Sequence, residues 1–152
     1  MPTCQTKFHG PIAYEPDQVL KVPAGLFGFA GETEFLLLEL PSARPIAFVQ
    51  SVHTPALCFI SLPAQVVDPA YRLALKAEDI KALGYTPDAP PAMGKEVLCL
   101  ALLMVEPEQP TTANLLAPLI IDIARHRGRQ VIVNAPYSHR SPVAPEGLKR
   151  AC

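Results

Sequence analysis

Short apolar segments separated by prolines form the main hydrophobic pattern of this chain. Most of them are of strand length, and residues 71–75 alternate so that Tyr71, Leu73 and Leu75 share one face. The run 96–106 is nearly all apolar, which is typical of a strand buried on both faces. Strands are predicted over residues 18–22, 34–40, 46–50, 57–62, 71–75, 96–106, 119–123 and 129–134, with an Arg127-Gly128 turn before the last.

One segment changes to a helical period. Residues 77–84 carry acids at their start, place Ile80 and Leu83 three positions apart, and end at Gly84. Acids favour the first turn of a helix, and glycine favours the position after its last turn. The pattern therefore predicts a short helix that ends at Gly84.

The proline content narrows the fold class. The chain has 18 prolines among 152 residues, more than twice the usual share of about 5%. Proline is excluded from helix interiors and from central strands, so the spacing favours short strands with stiff loops over a helical bundle. The predicted fold is mostly β: a small antiparallel barrel, closed or nearly closed, with one or two short helices.

Composition excludes two broad classes of protein. The chain is 49% hydrophobic and 18% charged, which excludes a disordered chain. Its longest uncharged apolar run, 97–105, has nine residues, whereas a membrane-spanning helix needs about 20. The N-terminal residues contain no apolar signal-peptide region, so a cytoplasmic location and no membrane contact are predicted.

Charge is unevenly distributed along the chain. The formal net charge is −1, which argues against a general nucleic-acid binder. Residues 1–122 hold 13 acids and 7 bases, a net of −6, whereas residues 123–152 hold 1 acid and 6 bases, a net of +5. One interpretation is a solvated basic hairpin and tail. The other is an acidic face that repels nucleic acid or attracts a basic protein.

The residues that most often carry catalysis or bind metals form no pattern here. Cysteines stand at positions 4, 58, 99 and 152 without metal-ligand spacing, and we expect Cys58 and Cys99 in the core and the other two exposed. Nothing orients His53 and Cys58 as a base and a nucleophile. Asp122 is expected to be a polar residue at a strand edge. No catalytic residue, metal site or cofactor is predicted.

Two local segments invite a functional interpretation. The glycines of 25–31 alternate with phenylalanines and precede acids that would repel phosphate, so a packed aromatic turn is predicted instead of a phosphate loop. In 111–118, Thr112 is predicted to cap a helical turn, Asn114 to tie the loop to the backbone, and Pro118 to end it. This loop is either a rigid connector or a preorganised surface that holds a partner.

Four motifs together resemble one family. They are Pro-Ala-Gly-Leu-Phe-Gly-Phe at 23–29, Val-Gln-Ser-Val at 49–52, Thr-Ala-Asn-Leu-Leu-Ala-Pro at 112–118, and Gly-Arg-Gln-Val-Ile-Val at 128–133 followed by Tyr137. In this order they resemble the bacterial flagellar assembly factor FliW family over residues 8–142. Residues 1–143 are predicted to form the FliW-like β-barrel domain. Residues 144–152 are predicted to be a flexible tail.

The resemblance implies a regulator that is not an enzyme. FliW-like proteins bind the RNA-binding repressor CsrA and stop it from repressing translation of flagellin messenger RNA. They also bind flagellin, and the two partners exclude each other. The implied partners are therefore CsrA and flagellin, without direct contact to nucleic acid.

Six residues are the candidates for partner contact. Gln50 and Ser51 form a polar pair at the end of an apolar strand and are expected on a rim. Thr112 and Asn114 follow from the loop interpretation. The acids beside that loop, Glu106 and Glu108, are hypothesised to face the RNA path on CsrA.

Two other functions remain as alternatives. A small-molecule or flavin-binding β-barrel is favoured only by the strand count and the apolar interior. A cysteine-dependent hydrolase would require Cys58 as its nucleophile, and the sequence offers no base with an orienting partner.

Overall fold

The structure is a computed structural model that describes residues 1–143. This part of the chain contains ten short strands and two short helices. The strands are β1 Thr3–Cys4, β2 Ile12–Ala13, β3 Leu20–Lys21, β4 Glu34–Leu38, β5 Ala47–Ser51, β6 Cys58–Pro63, β7 Val97–Met104, β8 Thr112–Asp122, β9 Arg127–Gln130 and β10 Ser141–Pro142. The helices are α1 Ala64–Val67 and α2 Ala77–Ala82, and 3₁₀ turns lie at Pro16–Gln18 and Pro41–Ala43. The predicted tail, 144–152, lies outside the described residues.

Strands β3 to β9 close into a seven-stranded barrel. Each pairs antiparallel with the next along the chain, and a parallel bridge between Lys21 and Arg127 joins the last strand to the first. Strand β10 adds to β8, while β1 and β2 form a separate hairpin. The predicted antiparallel closed barrel with one or two short helices is confirmed.

Two apolar clusters share the long strand β8. Because successive side chains of a strand point to opposite faces, Leu119 and Ile121 enter the barrel interior. Between them, Ile120 packs outward against a second cluster that includes Tyr71 and Val97. This second cluster lies beneath the segments that follow β6 and β9. Burial on both faces explains why the β7 and β8 sequences are almost continuously apolar.

Residues 71–75 do not form a strand, so that prediction is wrong. The alternation instead reflects one-sided packing, since Leu73 and Leu75 lie against the outer cluster. Tyr71 anchors the segment: it is fully buried, and its hydroxyl donates to the Leu115 carbonyl at 2.9 Å. The backbone of this segment makes single hydrogen bonds instead of a strand ladder. For example, the Asn134 amide donates to the Ala74 carbonyl.

The predicted boundaries around β9 are also wrong. The turn occupies residues 123–126, so Arg127 and Gly128 already lie in the strand, which ends at Gln130. Beyond it the amides of Val131 and Val133 still donate to carbonyls of 118 and 116. The chain therefore stays beside β8 without regular ladder geometry.

The predicted short helix is confirmed as α2. Gly84 follows it with φ +91°, and its amide donates to the Lys81 carbonyl. An L side chain rarely adopts this backbone angle, so glycine suits the position.

The cysteines correct one expectation. Cys4 is buried against the Ser51 carbonyl, because the hairpin of β1 and β2 covers the end of β5, and the expected exposure is wrong. Burial raises the pKa of Cys58 to about 11 and the pKa of Cys99 to about 12. Cys99 is buried in the outer apolar cluster, as expected, whereas Cys58 is half-buried outside both clusters, so its expected core position is wrong. Cys152 lies outside the described residues.

None of the helices within residues 1–143 has the length and apolar character required to cross a bilayer.

Candidate partner-binding surface

The connection between β7 and β8 opens a shallow cleft on the surface. We call it the Met104 cleft; its volume is about 210 Å³, and its lining residues are Met104, Glu106, Gln109, Pro110, Thr112, Arg140 and Pro142. The structure thus brings together two of the six candidate residues, Glu106 and Thr112. Both strands that carry the connection are fixed in the sheet, so the cleft is preformed.

Acidic and apolar side chains project side by side from this connection. Met104 is 44% exposed and Val105 58% exposed, which is unusual for large apolar residues in succession. Glu106 and Glu108 are exposed beside them, and Glu108 holds φ at +64°. Both acids lie in the connection that precedes β8.

Thr112 does not cap a helical turn, so its predicted role is wrong. Residues 112–118 belong to β8, where Thr112 pairs with Met104 on one side and Pro142 on the other. From this extended strand, Ala113 and Leu115 pack into the outer cluster.

Asn114 ties the backbone as predicted. Leu100 pairs with Leu119 but Leu102 pairs with Asn114, so residues 115–118 bulge out opposite Ala101. The Asn114 Oδ1 accepts from the amides of residues 116 and 117 at 3.1 and 2.8 Å. The side chain therefore satisfies backbone groups that the bulge removes from the ladder.

Replacing Asn114 with alanine should lower the free energy of unfolding by about 1–2 kcal/mol, because two backbone donors lose their acceptor. Asn114→Asp keeps that oxygen and should retain most of the stability. Urea denaturation measures the difference, with Asn134→Ala as the control at an exposed asparagine. An equal loss of unfolding free energy in both alanine variants would contradict the stabilising role of the Asn114 hydrogen bonds.

Gln50 and Ser51 are not on a rim, and that expectation is wrong. Both are 0% exposed, because the N-terminal hairpin and the loop after β5 cover them. The Gln50 Nε2 donates to three carbonyls, those of Ser51, Thr54 and Pro55. A partner cannot reach these side chains without moving that loop.

Ser51 instead organises a polar cluster that the sequence did not indicate. Its hydroxyl donates to Glu32 at 2.6 Å and accepts from the amides of His53 and Thr54. Hydrogen bonds from the Ser51 and Thr54 hydroxyls lower the pKa of Glu32. Nearby, His53 Nε2 lies 2.7 Å from Glu34. Only the pairing register of β4 with β5 brings these acids to this end, which a single sequence does not reveal.

A second polar cluster lies beside α2. Asp122 is buried, so the predicted edge position is wrong, and it accepts from the Tyr85 hydroxyl at 2.8 Å. The Arg125 side chain lies 3.3 Å from the same carboxylate. Asp79, also buried, accepts from Arg129 Nε at 2.8 Å.

Neither polar cluster places three metal-ligating side chains together within residues 1–143. No group of three or more His, Cys, Asp or Glu within residues 1–143 is placed to hold a metal ion. His53 bonds to Glu34, whereas Cys58 lies on the outer face beside Phe48 and Ile60.

The interior of the barrel does not favour the flavin alternative. Side chains fill it, and the cleft at one mouth, lined by Leu20, Leu37, Leu98 and Ile121 among others, measures about 190 Å³. Ligand pockets usually measure roughly 300–1,000 Å³.

Comparisons with known proteins agree over nearly the whole chain. The family model described as "FliW protein" matches residues 3–143. The flagellar assembly factor FliW of Geobacillus sp. (strain WCH70) is 34% identical over 146 residues, which cover 95% of this chain and 97% of that one. The protein of the same name from Bacillus subtilis (strain 168) is 30% identical, with coverage of 93% and 96%.

A solved structure extends the agreement to three dimensions. The crystal structure of the flagellar assembly factor FliW matches with a TM-score of 0.81 and 31% identity, over 95% of this chain and 99% of that one. The chain therefore belongs to the FliW family of flagellar assembly factors.

Proposed function

We propose that this protein binds flagellin and, alternatively, the translational repressor CsrA, and thereby relieves repression of flagellin synthesis. It acts by protein–protein contact and catalyses no reaction. The observation that carries the proposal is the family match over residues 3–143. The partners themselves follow from the family resemblance, and the Met104 cleft is the surface that we propose for them.

The Met104 cleft has the properties of a partner-binding surface. Exposed Met104 and Val105 offer apolar area, and methionine adapts its shape to a partner. Pro107 and Pro110 stiffen the connection, and the Asn114 bonds hold the strand behind it. A preformed surface loses little conformational entropy on docking, which favours affinity.

Electrostatic repulsion explains how a bound protein can act on RNA without touching it. CsrA must present positive charge to RNA phosphates. Glu106 and Glu108, exposed at the rim of the Met104 cleft, would place two negative charges beside the surface along which CsrA binds RNA. The Debye length at physiological salt is about 8 Å, so the effect requires close approach.

Size-exclusion chromatography tests the proposed partners. The purified protein is mixed with CsrA, with flagellin, and with both together. We expect co-elution with each partner, and displacement of CsrA when flagellin is added. Failure to co-elute with either partner would overturn the proposal.

Glu106→Gln/Glu108→Gln should weaken the antagonism of RNA binding by roughly threefold to tenfold, because two repelling charges are lost, and it should weaken CsrA binding by a smaller factor. A competition assay with labelled flagellin leader RNA measures this. The control Glu39→Gln/Asp88→Asn removes the same charge from exposed positions elsewhere. Added salt should likewise weaken antagonism faster than CsrA binding. A parallel fall of both would refute the repulsion.

A further inference from the structure

We propose that a second cleft binds an acidic segment of a protein partner, rich in Asp or Glu. This arginine cleft lies between the turn after β3 and strand β9, and it measures about 250 Å³. Its lining residues are Pro23, Ala24, Ala82, Leu83, Arg127, Gly128 and Arg129. It is distinct from the Met104 cleft, and the inference does not rest on the function proposed above.

Strand geometry sets two arginines on one face of this cleft. Alternate residues of a strand point to the same side, so Arg127 and Arg129 share the outer face of β9. Gly128 between them is buried against Val22, where an added Cβ would lie 3.3 Å from a Val22 methyl. The exposed Lys21 pairs with Arg127 across the barrel seam and adds a third cation.

A buried carboxylate orients Arg129. Asp79 is 5% exposed and accepts from Arg129 Nε at 2.8 Å, which fixes the plane of the guanidinium. No residue of 1–143 accepts a hydrogen bond from its two Nη groups. They form a preoriented fork, and a carboxylate accepts from such a fork in bidentate fashion.

The charge around the cleft is only partly balanced. Residues 123–143 contain four arginines and no acid. Asp79 and Asp122 pair with Arg129 and Arg125, but Arg127 forms no ion pair within the described residues. Adjacent positive charges on Arg127 and Lys21 repel each other, so an incoming anion relieves that repulsion.

Geometry favours an acidic peptide over RNA as the occupant. Residues two apart on a strand are separated by about 6.8 Å, the same interval that separates alternate side chains of an extended peptide. Carboxylates at alternate positions can therefore meet both arginines. Among the described residues, no aromatic ring lines the cleft to stack with a base.

Titration with the peptide acetyl-Glu-Thr-Glu-Thr-Glu-amide, followed by ¹⁵N chemical shifts, tests the inference on the full chain. We expect saturable shifts of the Ala24 and Gly128 amides. Arg127→Gln should weaken binding about tenfold, because one charge-assisted contact is lost. Arg127→Lys should fall between wild type and Arg127→Gln, because it keeps the charge without the fork.

Arg72→Gln is the matched control, since Arg72 is exposed and forms no ion pair within the described residues. It should change the peptide affinity less than twofold. An equal effect of the two glutamine variants would overturn the inference, as would the absence of saturable shifts at the cleft. Tighter binding of hexauridylate or of inorganic phosphate at the same amides would also overturn it.

Discussion

Gly25→Ala is expected to lower the free energy of unfolding by about 3 kcal/mol or more. Gly25 holds φ at +68°, which costs an L residue about 1–2 kcal/mol. Its added Cβ would also stand 2.6 Å from the Phe29 carbonyl oxygen and from the Ala30 Cα. Both contacts are with backbone atoms, which cannot rotate away, so overpacking adds roughly 1–3 kcal/mol.

Gly28→Ala separates the two contributions. Gly28 also has positive φ, +85°, but no atom of residues 1–143 lies within 4 Å of the position that an added Cβ would take, so only about 1–2 kcal/mol should be lost. Guanidinium denaturation of both variants gives the comparison. Equal losses would mean that the close approach to residues 29 and 30 is absent.

The turn around Gly25 matters because Leu26, the next residue, packs into the barrel interior. Phe29 packs edge-on against Phe59 at 5.3 Å, and the Phe27 amide donates to Gln130 at 2.8 Å. The predicted packed aromatic turn is therefore present, with both of its phenylalanine rings still partly exposed. Loss of the turn should also deform the arginine cleft, since Pro23 and Ala24 precede it.

The barrel strands could be predicted from the sequence because their signals are local. Each of β4, β5 and β6 is a short apolar run whose ends are marked by proline or polar residues. Residues 71–75 show the limit of this reasoning. They alternate like a strand, but the alternation records one packed face, and a single sequence does not reveal whether a pairing partner is available.

The candidate site likewise contains residues whose roles could be predicted from the local sequence and residues whose roles could not. Asn114 bonds to amides only two and three residues away, so its role could be inferred from the local sequence. Gln50 and Asp122 were misplaced because distant segments cover them, and burial of a polar residue depends on the whole topology.

The FliW-like motifs contributed what spacing did not. They identified the family, yet they did not point to the arginines of β9 as a surface. That arrangement depends on the parallel bridge of β9 with β3 and on α2, which lies outside all four motifs. Asp79, the buried carboxylate that pairs with Arg129, also determines how much the stability of the fold depends on Arg129.

Arg129→Ala is expected to cost about 3 kcal/mol of unfolding free energy. The substitution leaves the buried Asp79 carboxylate without its cation, and breaking a buried pair costs about 3–5 kcal/mol. The Arg129 side chain is itself about one-third exposed, so water compensates in part and the lower end applies. The adjacent, unpaired Arg127 provides the control: Arg127→Ala should change stability by less than about 0.5 kcal/mol.

Asp79→Asn on the Arg129→Ala background shows whether the loss of stability comes from an unpaired buried charge or from lost packing. Removing the uncompensated carboxylate should recover about half or more of the lost stability, because the penalty arises from the charge and not from the side-chain volume. Urea unfolding of the two single variants and the double variant forms a double-mutant cycle that isolates the pair. The double variant could instead lose as much unfolding free energy as the two single variants together. In that case Arg129 would stabilise α2 by packing alone. The proposal that Asp79 orients its guanidinium would then be wrong.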